Sequence, residues 1–446
     1  VRTVLFILLG GLLLFLSLVV FLANNYVEPV LRKRLQTLIV DGSDSLYTYR
    51  IGSLHVNLFG GDIGVHNMQI AVDSNRFYRL KQSGELPSLV MQLKVNSAHI
   101  KGLGIFSLLF NKKIVIGEIS SAQADIVLSR YPKQKDTVDV PQQKLPLWKA
   151  IRPAIKDVVV HQIKLDGIKL LYKNSEGREG KLQFDRCDAL FEDIRIDSVA
   201  QADTNRIEYV RNFSFRLNDL KFRTSDSTYK LKAEWITYNS AKNLLEIDDF
   251  KLQPTLKNDE RQDSMRKSWY TFTFDKVSFT GLRLDRYLRF NHAEADSVVF
   301  QHPELSVYQD KKGLKSYESK IGQYPHQLLM KAGAIIAIKK FVARNMQIAV
   351  TEKDETTREE GTLNLTDVNL SVDNVVNDPL LVKRNPVSTA EAQGKIIGSP
   401  IKASFRFYLD SVANGRFDVK GQIGPVTAAQ INPVSTRLAN IEVPSV

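Results

Sequence analysis

Short segments in which apolar and polar residues alternate recur along most of this chain, and they constrain its fold more than any other feature. A period of two places every second side chain on the same face of an extended strand. Such strands build a sheet with one buried and one hydrated face, typical of antiparallel pairing. The clearest examples are residues 55–58, 68–72, 89–95, 213–217, 270–274, 405–407 and 417–419. The pattern predicts a mainly β protein built on an antiparallel sheet.

Helical spacing is rare in the same region. Apolar residues follow it in three short windows, residues 106–110, 147–157 and 327–341. Two stretches rich in charged residues, 131–146 and 255–267, predict loops. We therefore expect the sheet to carry only a few short helices.

Four segments share a motif in which an Asp interrupts the alternation. They are FEDIRI with Asp193, LNDLKF with Asp219, IDDFKL with Asp249 and LTDVNL with Asp367. The apolar positions shift by one across the Asp, which would turn half of each strand over unless the chain bends there. We predict strands bent at the Asp with their apolar side chains kept on one face. A catalytic role for these carboxylates is the alternative, and the repetition argues against it.

A longer stretch of sequence is duplicated. Residues 146–184 and 325–365 each begin with Pro, continue through a short apolar helix and a strand, and return in a second strand after a charged turn. The hexamer NMQIAV also occurs twice, at residues 67–72 and 345–350. Repetition of one supersecondary unit predicts an elongated stack whose neighbouring repeats share a core.

The N-terminal region is apolar and uncharged from Thr3 to Ala23. A helix of this length would be about 30 Å long, the thickness of a bilayer core. We predict a retained transmembrane helix, because the apolar core of a cleaved signal peptide, the alternative, is shorter. The basic run 32–34 favours a cytoplasmic body, but large domains translocate largely regardless of local charge, so we expect export. Residues 27–39 predict an amphipathic helix near the membrane.

Recognisable catalytic and metal-binding motifs are absent from the sequence. It contains no Gly-rich phosphate loop, GxSxG or HExxH motif, and the His residues are scattered. The lone Cys187 allows no intrachain disulfide, and we interpret it as structural. The net charge of +12 comes from basic residues interspersed with acidic ones. A hydrated mixed-charge surface is the first interpretation, weak membrane attraction the second and nucleic-acid binding a distant third. We predict no enzyme activity, metal, cofactor or nucleic-acid partner.

Several stretches together resemble the AsmA-like family, relatives of TamB, of Gram-negative cell envelopes. They are the anchor with Val27-Glu28-Pro29 and the residues 51–58, 95–103, 114–119, 394–401 and 417–433. The resemblance implies a sheet curled along its length into an apolar groove, anchored in the inner membrane by one helix and standing in the periplasm. It implies no catalytic residue. The implied partners are phospholipid or another acyl-chain lipid, the inner membrane and an outer-membrane or periplasmic protein.

The bent strands then supply the expected lining of the groove. The residues that we expect to line it are Ile194, Ile196, Leu220, Phe222, Phe250, Leu252, Val368 and Leu370. Acyl chains need a continuous apolar surface, because each methylene kept from water is worth about 0.8 kcal/mol. We expect lipid to be held there during transit.

The expected organisation has four parts. Residues 1–26 form the anchor, 27–140 a helix-and-strand region, 141–322 a middle groove repeat and 323–446 a C-terminal groove repeat. The body is short for a bridge and stops soon after Asn432-Pro433, so we expect a fragment or an early-ending paralogue. Phospholipid transport or lipid homeostasis between the membranes is the first hypothesis. A structural or outer-membrane protein assembly factor that carries no lipid is the second.

Overall fold

Strands dominate the described structure. The computed structural model describes residues 36–444 apart from residues 38, 58–59, 105–106, 108–109, 132–145, 153–154, 175–181, 225, 257–267, 312–320, 356 and 440. Within these residues the chain forms 18 strands, and its α-helices are short. The prediction of a mainly β protein with short helices is confirmed.

The predicted membrane anchor, residues 1–26, lies outside the described residues, as does most of the predicted amphipathic helix 27–39. The same is true of most of the predicted loops 131–146 and 255–267 and of the helical window 106–110. No helix within the described ranges combines the length and the apolar character that a membrane span requires.

The chain divides into two compact units, the N-unit (Val1–Asp219) and the C-unit (Leu220–Val446). The N-unit contains β1 (Tyr47–Arg50), β2 (Ser53–Asn57), β3 (Asp62–Val72), α1 (Ser74–Ser83), β4 (Leu89–Lys101), β5 (Lys113–Arg130), α2 (Leu147–Ile151), β6 (Asp157–Lys173), β7 (Leu182–Ile196) and α3 (Ser198–Ala202), and β8 (Val210–Arg223) crosses the boundary. Strands β1 and β2 pair with the two halves of β3. Strands β3, β4 and β5 are antiparallel neighbours, β5 and β6 are parallel, and β6 and β7 are antiparallel.

The C-unit repeats this kind of arrangement over more strands. Its elements are β9 (Tyr229–Asn239), β10 (Leu244–Pro254), β11 (Ser268–Thr280), α4 (Leu284–Phe290), β12 (His292–Gln301), β13 (Glu304–Asp310), α5 (Pro325–Met330), β14 (Ile335–Lys353), β15 (Glu360–Val376), α6 (Pro379–Arg384), β16 (Val387–Ile396), β17 (Ser399–Tyr408), β18 (Phe417–Ile423) and α7 (Ala428–Ala439). Strands β12 and β13 both lie between β11 and β14, antiparallel to β11 and parallel to β14. Within the described residues, every other strand pairing from β9 to β18 is antiparallel.

The expectation of a purely antiparallel sheet is wrong, and the sheet is mixed. The parallel neighbours are β5 with β6 and the pair β12 and β13 with β14. In each unit, the connection into the second strand contains a short helix, α2 or α5. A parallel pair needs such a crossover, whereas antiparallel strands can be joined by a tight turn. Alternation reports which face a side chain occupies, so it cannot reveal the direction of the neighbouring strand.

The described residues of the alternating segments all lie in strands, whereas two helical windows are shorter than expected. The window 147–157 is helical only over Leu147–Ile151, and β6 begins at Asp157. The window 327–341 is helical only as far as Met330, and β14 begins at Ile335. The segment IIAI at the start of β14 contains three β-branched residues, which favour a strand over a helix.

Helix α1 was not predicted, although both of its ends carry recognisable signals. The Asp73 side chain accepts a hydrogen bond from the Arg76 backbone N–H at 2.7 Å. Gly84 ends the helix with a φ of 75°, where a residue without Cβ carries no steric penalty. An Asp before the helix and a Gly after it are standard capping residues.

The predicted bends are confirmed at the backbone. All four motif residues have left-handed φ values, 50° at Asp193, 50° at Asp219, 48° at Asp249 and 55° at Asp367. Asp and Asn enter this region more readily than other residues with a side chain because their short polar side chains can bond locally. The two NMQIAV copies begin at Asn67 and Asn345, both with a φ of 53°. The bends therefore keep the apolar side chains on one face, as the shifted alternation predicted.

The duplicated stretch folds in the same way in both units. Helix α2 leads into β6, β7 and α3, and helix α5 leads into β14, β15 and α6. The first strand of each hairpin bends at a left-handed residue, Gly167 in the N-unit and Asn345 in the C-unit. The register of each hairpin shifts at that same place, on either side of Ile168 and of Met346. The predicted repeat of one supersecondary unit is therefore present.

Candidate functional site

One face of the C-unit sheet is apolar across β10 to β18. The register brings Leu370 of β15 opposite Ala343 of β14 and Ala392 of β16, and Ala392 opposite Ala403 of β17. Phe300 of β12 extends this central row. The neighbouring rows of the same face are also apolar. They contain Val298, Phe341, Ala390, Phe405 and Val419 on one side and Leu365, Ile396, Ile401 and Ile423 farther along. We call this surface the apolar face.

Burial of the apolar face falls along the sheet. Near β11 and β12 its side chains are closed off, with Val277 1% and Val298 2% exposed. From β15 to β17 most of them are half-buried, including Leu365, Ile401 and Phe405. At β18, Val419 and Ile423 are both 54% exposed. The face therefore opens to solvent toward β18.

Phenylalanine rings form the closed part of the face. Phe250 and Phe274 stack with ring centroids 4.6 Å apart. Phe300 contacts Phe274 edge-on at 5.1 Å and Phe341 at 5.5 Å. Offset and edge-to-face arrangements of this kind are the favoured geometries of aromatic pairs. These contacts pack the rings of four neighbouring strands into one apolar cluster.

The bend residues place polar groups away from the apolar face. His302, between β12 and β13, has a φ of 46° and lies level with Asn345. The His302 Nδ1 is 2.7 Å from Asp275 Oδ2. Lys395 Nζ donates to Asp367 Oδ2 at 2.8 Å, which raises the pKa of Lys395 above its ordinary value. These two bends thus each carry an exposed polar pair.

Short helices close one end of the C-unit hairpins. Val382 of α6 packs with Val376 and Leu409 in a small buried cluster, against Met330 and Leu381. The ring of His326 on α5 is 3% exposed and lies beside Phe407 at 5.2 Å. Both nitrogens of that ring have no hydrogen-bond partner in the described structure, and burial lowers the pKa of His326.

The residues expected to line a groove occupy different environments. Ile194 and Ile196 are each 1% exposed and lie in the N-unit core. Phe250, Leu252, Val368 and Leu370 belong to the apolar face of the C-unit. Of the four, Val368 is buried and the other three are half-buried.

The remaining two expected lining residues belong to β8. Leu220 is half-buried, and Phe222 is 39% exposed. The structure therefore brings four of the expected residues onto one face and places two in a closed core. Sequence reasoning missed most of the apolar face, namely Phe272, Phe274, Phe300, Phe341, Phe405, Val419 and Ile423. The strand segments FTF and FRF carried that signal, but only the register shows which strands adjoin.

The groups that enzymes most often use show no assembled site in the described residues. Burial, together with the nearby Asp188 carboxylate, raises the pKa of Cys187 to about 11. The thiol therefore stays protonated near neutral pH, and a thiol is a far weaker nucleophile than a thiolate. No group of three or more His, Cys, Asp or Glu residues in the described ranges could hold a metal ion.

No family model matches the chain, and no curated protein matches its sequence. The resemblance to the AsmA-like family therefore rests on the sequence features given above and stays a prediction.

Proposed function

We propose that the chain holds the acyl chains of phospholipid, or of another lipid, against the apolar face of its C-unit. The observation that carries the proposal is the continuous apolar face from β10 to β18, which becomes half-buried and then exposed toward β18. Exposed apolar surface that spans several adjoining strands marks a binding surface rather than ordinary surface scatter. Each methylene placed on it would gain about 0.8 kcal/mol relative to water.

The size of the face suits an acyl chain. Neighbouring strands are about 4.8 Å apart, so the path from β14 to β18 is roughly 20 Å. The residues named on this path are alanine, glycine, valine, leucine, isoleucine and phenylalanine, with no charged group among them. The small residues in the central row, Ala343, Ala392, Ala403 and Gly421, leave room for a ligand between the larger rows.

The wider setting is part of the same proposal. A retained N-terminal helix would anchor the protein in the inner membrane, with its body in the periplasm. Acyl chains would then lie against a curled β groove while they move between the two membranes, with an outer-membrane or periplasmic protein as a further partner. The likeness to AsmA-like proteins and the predicted apolar anchor support this setting.

The experiment measures phospholipid that copurifies with the full chain in mild detergent, by mass spectrometry. The variant Phe405→Asp/Val419→Asp places two carboxylates on the apolar face. The control Ser404→Asp/Gln422→Asp places two on the opposite face of the same strands, β17 and β18. We expect about a fivefold or greater loss of lipid in the first variant and less than about twofold in the control. Only the first variant places charged groups on the surface that would contact the acyl chain.

Equal lipid content in the two variants would contradict the proposal, as would wild-type protein that carries no phospholipid. In the second case, the alternative of an envelope assembly or structural factor without lipid would stand. Hydrogen exchange of β15 to β17 checks that each variant keeps its fold.

A further inference from the structure

A second concave surface lies on the C-unit sheet and is distinct from the apolar face. It has a volume of about 780 Å³ and crosses β14, β15, β16, β17 and β18. Three successive rows of the register line it. The central row contains Ala343, Leu370, Ala392, Ala403 and Gly421. One outer row contains Val342, Ser371, Glu391, Ser404 and Lys420. The other outer row contains Arg344, Asn369, Gln393, Lys402 and Gln422. We call it the polar groove.

The alternation of the strands shows on which side the polar groove opens. Side chains of the central row point to the apolar face, and those of the two outer rows point to the opposite face. On the apolar face, a cavity above the central row would be walled by the next apolar rows, which include Phe341, Phe405 and Ile401. None of these three residues lines the groove. The groove therefore opens on the hydrated face, between two rows of polar side chains.

The charge of the polar groove is positive. Arg344, Lys402 and Lys420 line it together with one carboxylate, Glu391, and all four side chains are exposed. None of the three cations forms an ion pair within the part of the chain that the structure describes. Other lysines of the same sheet are paired, for example Lys395 with Asp367. Uncompensated cations in a concavity attract anions.

The arrangement of the polar groove is regular. In one row, Lys402 faces Gln393 on one side and Gln422 on the other. In the other row, Ser404 faces Glu391 and Lys420. Two lysines thus stand on diagonal positions of neighbouring strands, about 7–8 Å apart at Cα, with amide and hydroxyl groups between them. This spacing lets two anionic groups of one ligand be bound at once.

We propose that the polar groove binds a water-soluble organic phosphate, a sugar or polyol that carries two phosphate groups. Lys and Arg supply charge-assisted hydrogen bonds to phosphate oxygens, and Gln, Asn and Ser bind hydroxyl groups. No aromatic residue lines the groove, so it offers no stacking surface for a nucleobase. Apart from Val342, the two outer rows carry polar or charged side chains, so charge and hydrogen bonding form the basis of recognition in the groove. The volume lies within the usual range of small-ligand sites.

Titration calorimetry tests the proposal by measuring how fructose 1,6-bisphosphate binds to the full chain in detergent. We expect Lys402→Gln/Lys420→Gln to weaken binding about tenfold or more, since each lost cation removes a charge-assisted contact. Glu391→Gln should strengthen binding about threefold, because it removes the only carboxylate of the groove. The matched control, Lys395→Gln, removes a lysine outside the groove and should leave the affinity within about twofold.

Three results would overturn the proposal. One is an absence of binding by the wild-type chain. The second is equal weakening by Lys395→Gln and by the groove variant, which would indicate a response to net charge alone. The third is binding to phosphatidylglycerol vesicles that depends on Lys402 and Lys420 while the soluble bisphosphate does not bind, which would make the surface a membrane contact. None of these results bears on lipid bound to the apolar face.

Discussion

The same repeated hairpin is closed in one unit and open in the other. In the N-unit, Val160 pairs with Ile194, and the two are 4% and 1% exposed. At the corresponding register of the C-unit, Ile338 pairs with Val375, and both are only half-buried. The strand pairing and the adjacent left-handed bends, at Asp193 and Asn374, correspond in the two places, so the difference lies in what covers the sheet.

The cover in the N-unit comes from its helices and connections. Leu147, Trp148 and Ile151 of α2 pack on the N-unit core, as do Ala200 of α3 and Tyr209. In the C-unit, the corresponding helices α5 and α6 form only a small cluster around Val382. A single layer of sheet that is covered becomes a core, and one that is uncovered keeps an apolar surface for another molecule. The N-unit core therefore has a structural role, and the surface proposed above for lipid lies in the C-unit.

The largest expected effect compares one buried and one half-buried position. Val158→Asp places a carboxylate where the native side chain is 0% exposed and packs among the apolar side chains of the N-unit core. We expect it to lower the stability of the N-unit by about 4 kcal/mol or more. Ile401→Asp on the half-buried apolar face should cost about 1 kcal/mol. Hydrogen exchange of β5 to β7 and of β15 to β17 measures both, and equal losses would contradict the difference between the units.

The second prediction concerns the buried cation of the N-unit. Arg206 is 3% exposed and donates to the Asp193 backbone oxygen at 2.5 Å and to Asp193 Oδ2 at 2.7 Å. It also donates to Asp203 Oδ2 at 3.2 Å. Arg206→Met removes these hydrogen bonds from a buried position, while Asp193 keeps its ion pairs with Arg195 and Arg211, so we expect a loss of about 2 kcal/mol in the N-unit at pH 7. Arg195→Met, at an exposed partner of Asp193, serves as the control and should cost less than about 1 kcal/mol.

The same cluster predicts how the N-unit responds to acid. Partial burial alone would raise the pKa of Asp193, but hydrogen bonds from Arg195 and Arg206 and their charges lower it. A lowered folded pKa stabilises the unit above the unfolded pKa of Asp, and this stabilisation is lost as the pH falls through the folded pKa. The N-unit should therefore lose stability below about pH 4, where unfolded Asp begins to bind protons. Arg206→Met should flatten that part of the pH profile, and an unchanged profile would refute the assignment.

The bends offer a test in which the two units should behave alike. Asn67 and Asn345 begin identical hexamers and have the same φ of 53°. A valine there must adopt a left-handed conformation, so Asn67→Val and Asn345→Val should each cost about 1–2 kcal/mol. Glycine at either position should cost less than about 0.5 kcal/mol. Chemical denaturation with exchange detection in each unit measures the four variants. A valine penalty in only one unit would show that burial, and not backbone strain, sets the cost.

Much of the local structure could be predicted from the sequence. The alternation of apolar and polar residues reports which face of the sheet each side chain occupies, and its one-residue shift reports the bends at Asp193 and Asp367. The parallel pairing of β5 with β6 could not, because the direction of a neighbour leaves no trace in a single strand. The open face could not be recognised either. Ile194 and Phe250 occupy the same position in two copies of the motif. Ile194 is enclosed in a core because helices pack above it, whereas Phe250 stays half-buried. Burial at such a position depends on elements distant in the sequence.

The smallest effect that we predict is a loss of C-unit stability as the pH falls below neutrality. Burial lowers the pKa of His326 in the C-unit below its ordinary value of 6.5, among the rings of Tyr324, Phe407 and Phe417. The folded state therefore resists protonation, so the C-unit keeps full stability above about pH 6.5 and loses at most about 1.4 kcal/mol per pH unit below it, down to the folded pKa. His326→Phe keeps the aromatic packing and should remove this slope. A slope that persists in the variant, measured by exchange of β17, would mean that another group of the C-unit titrates there.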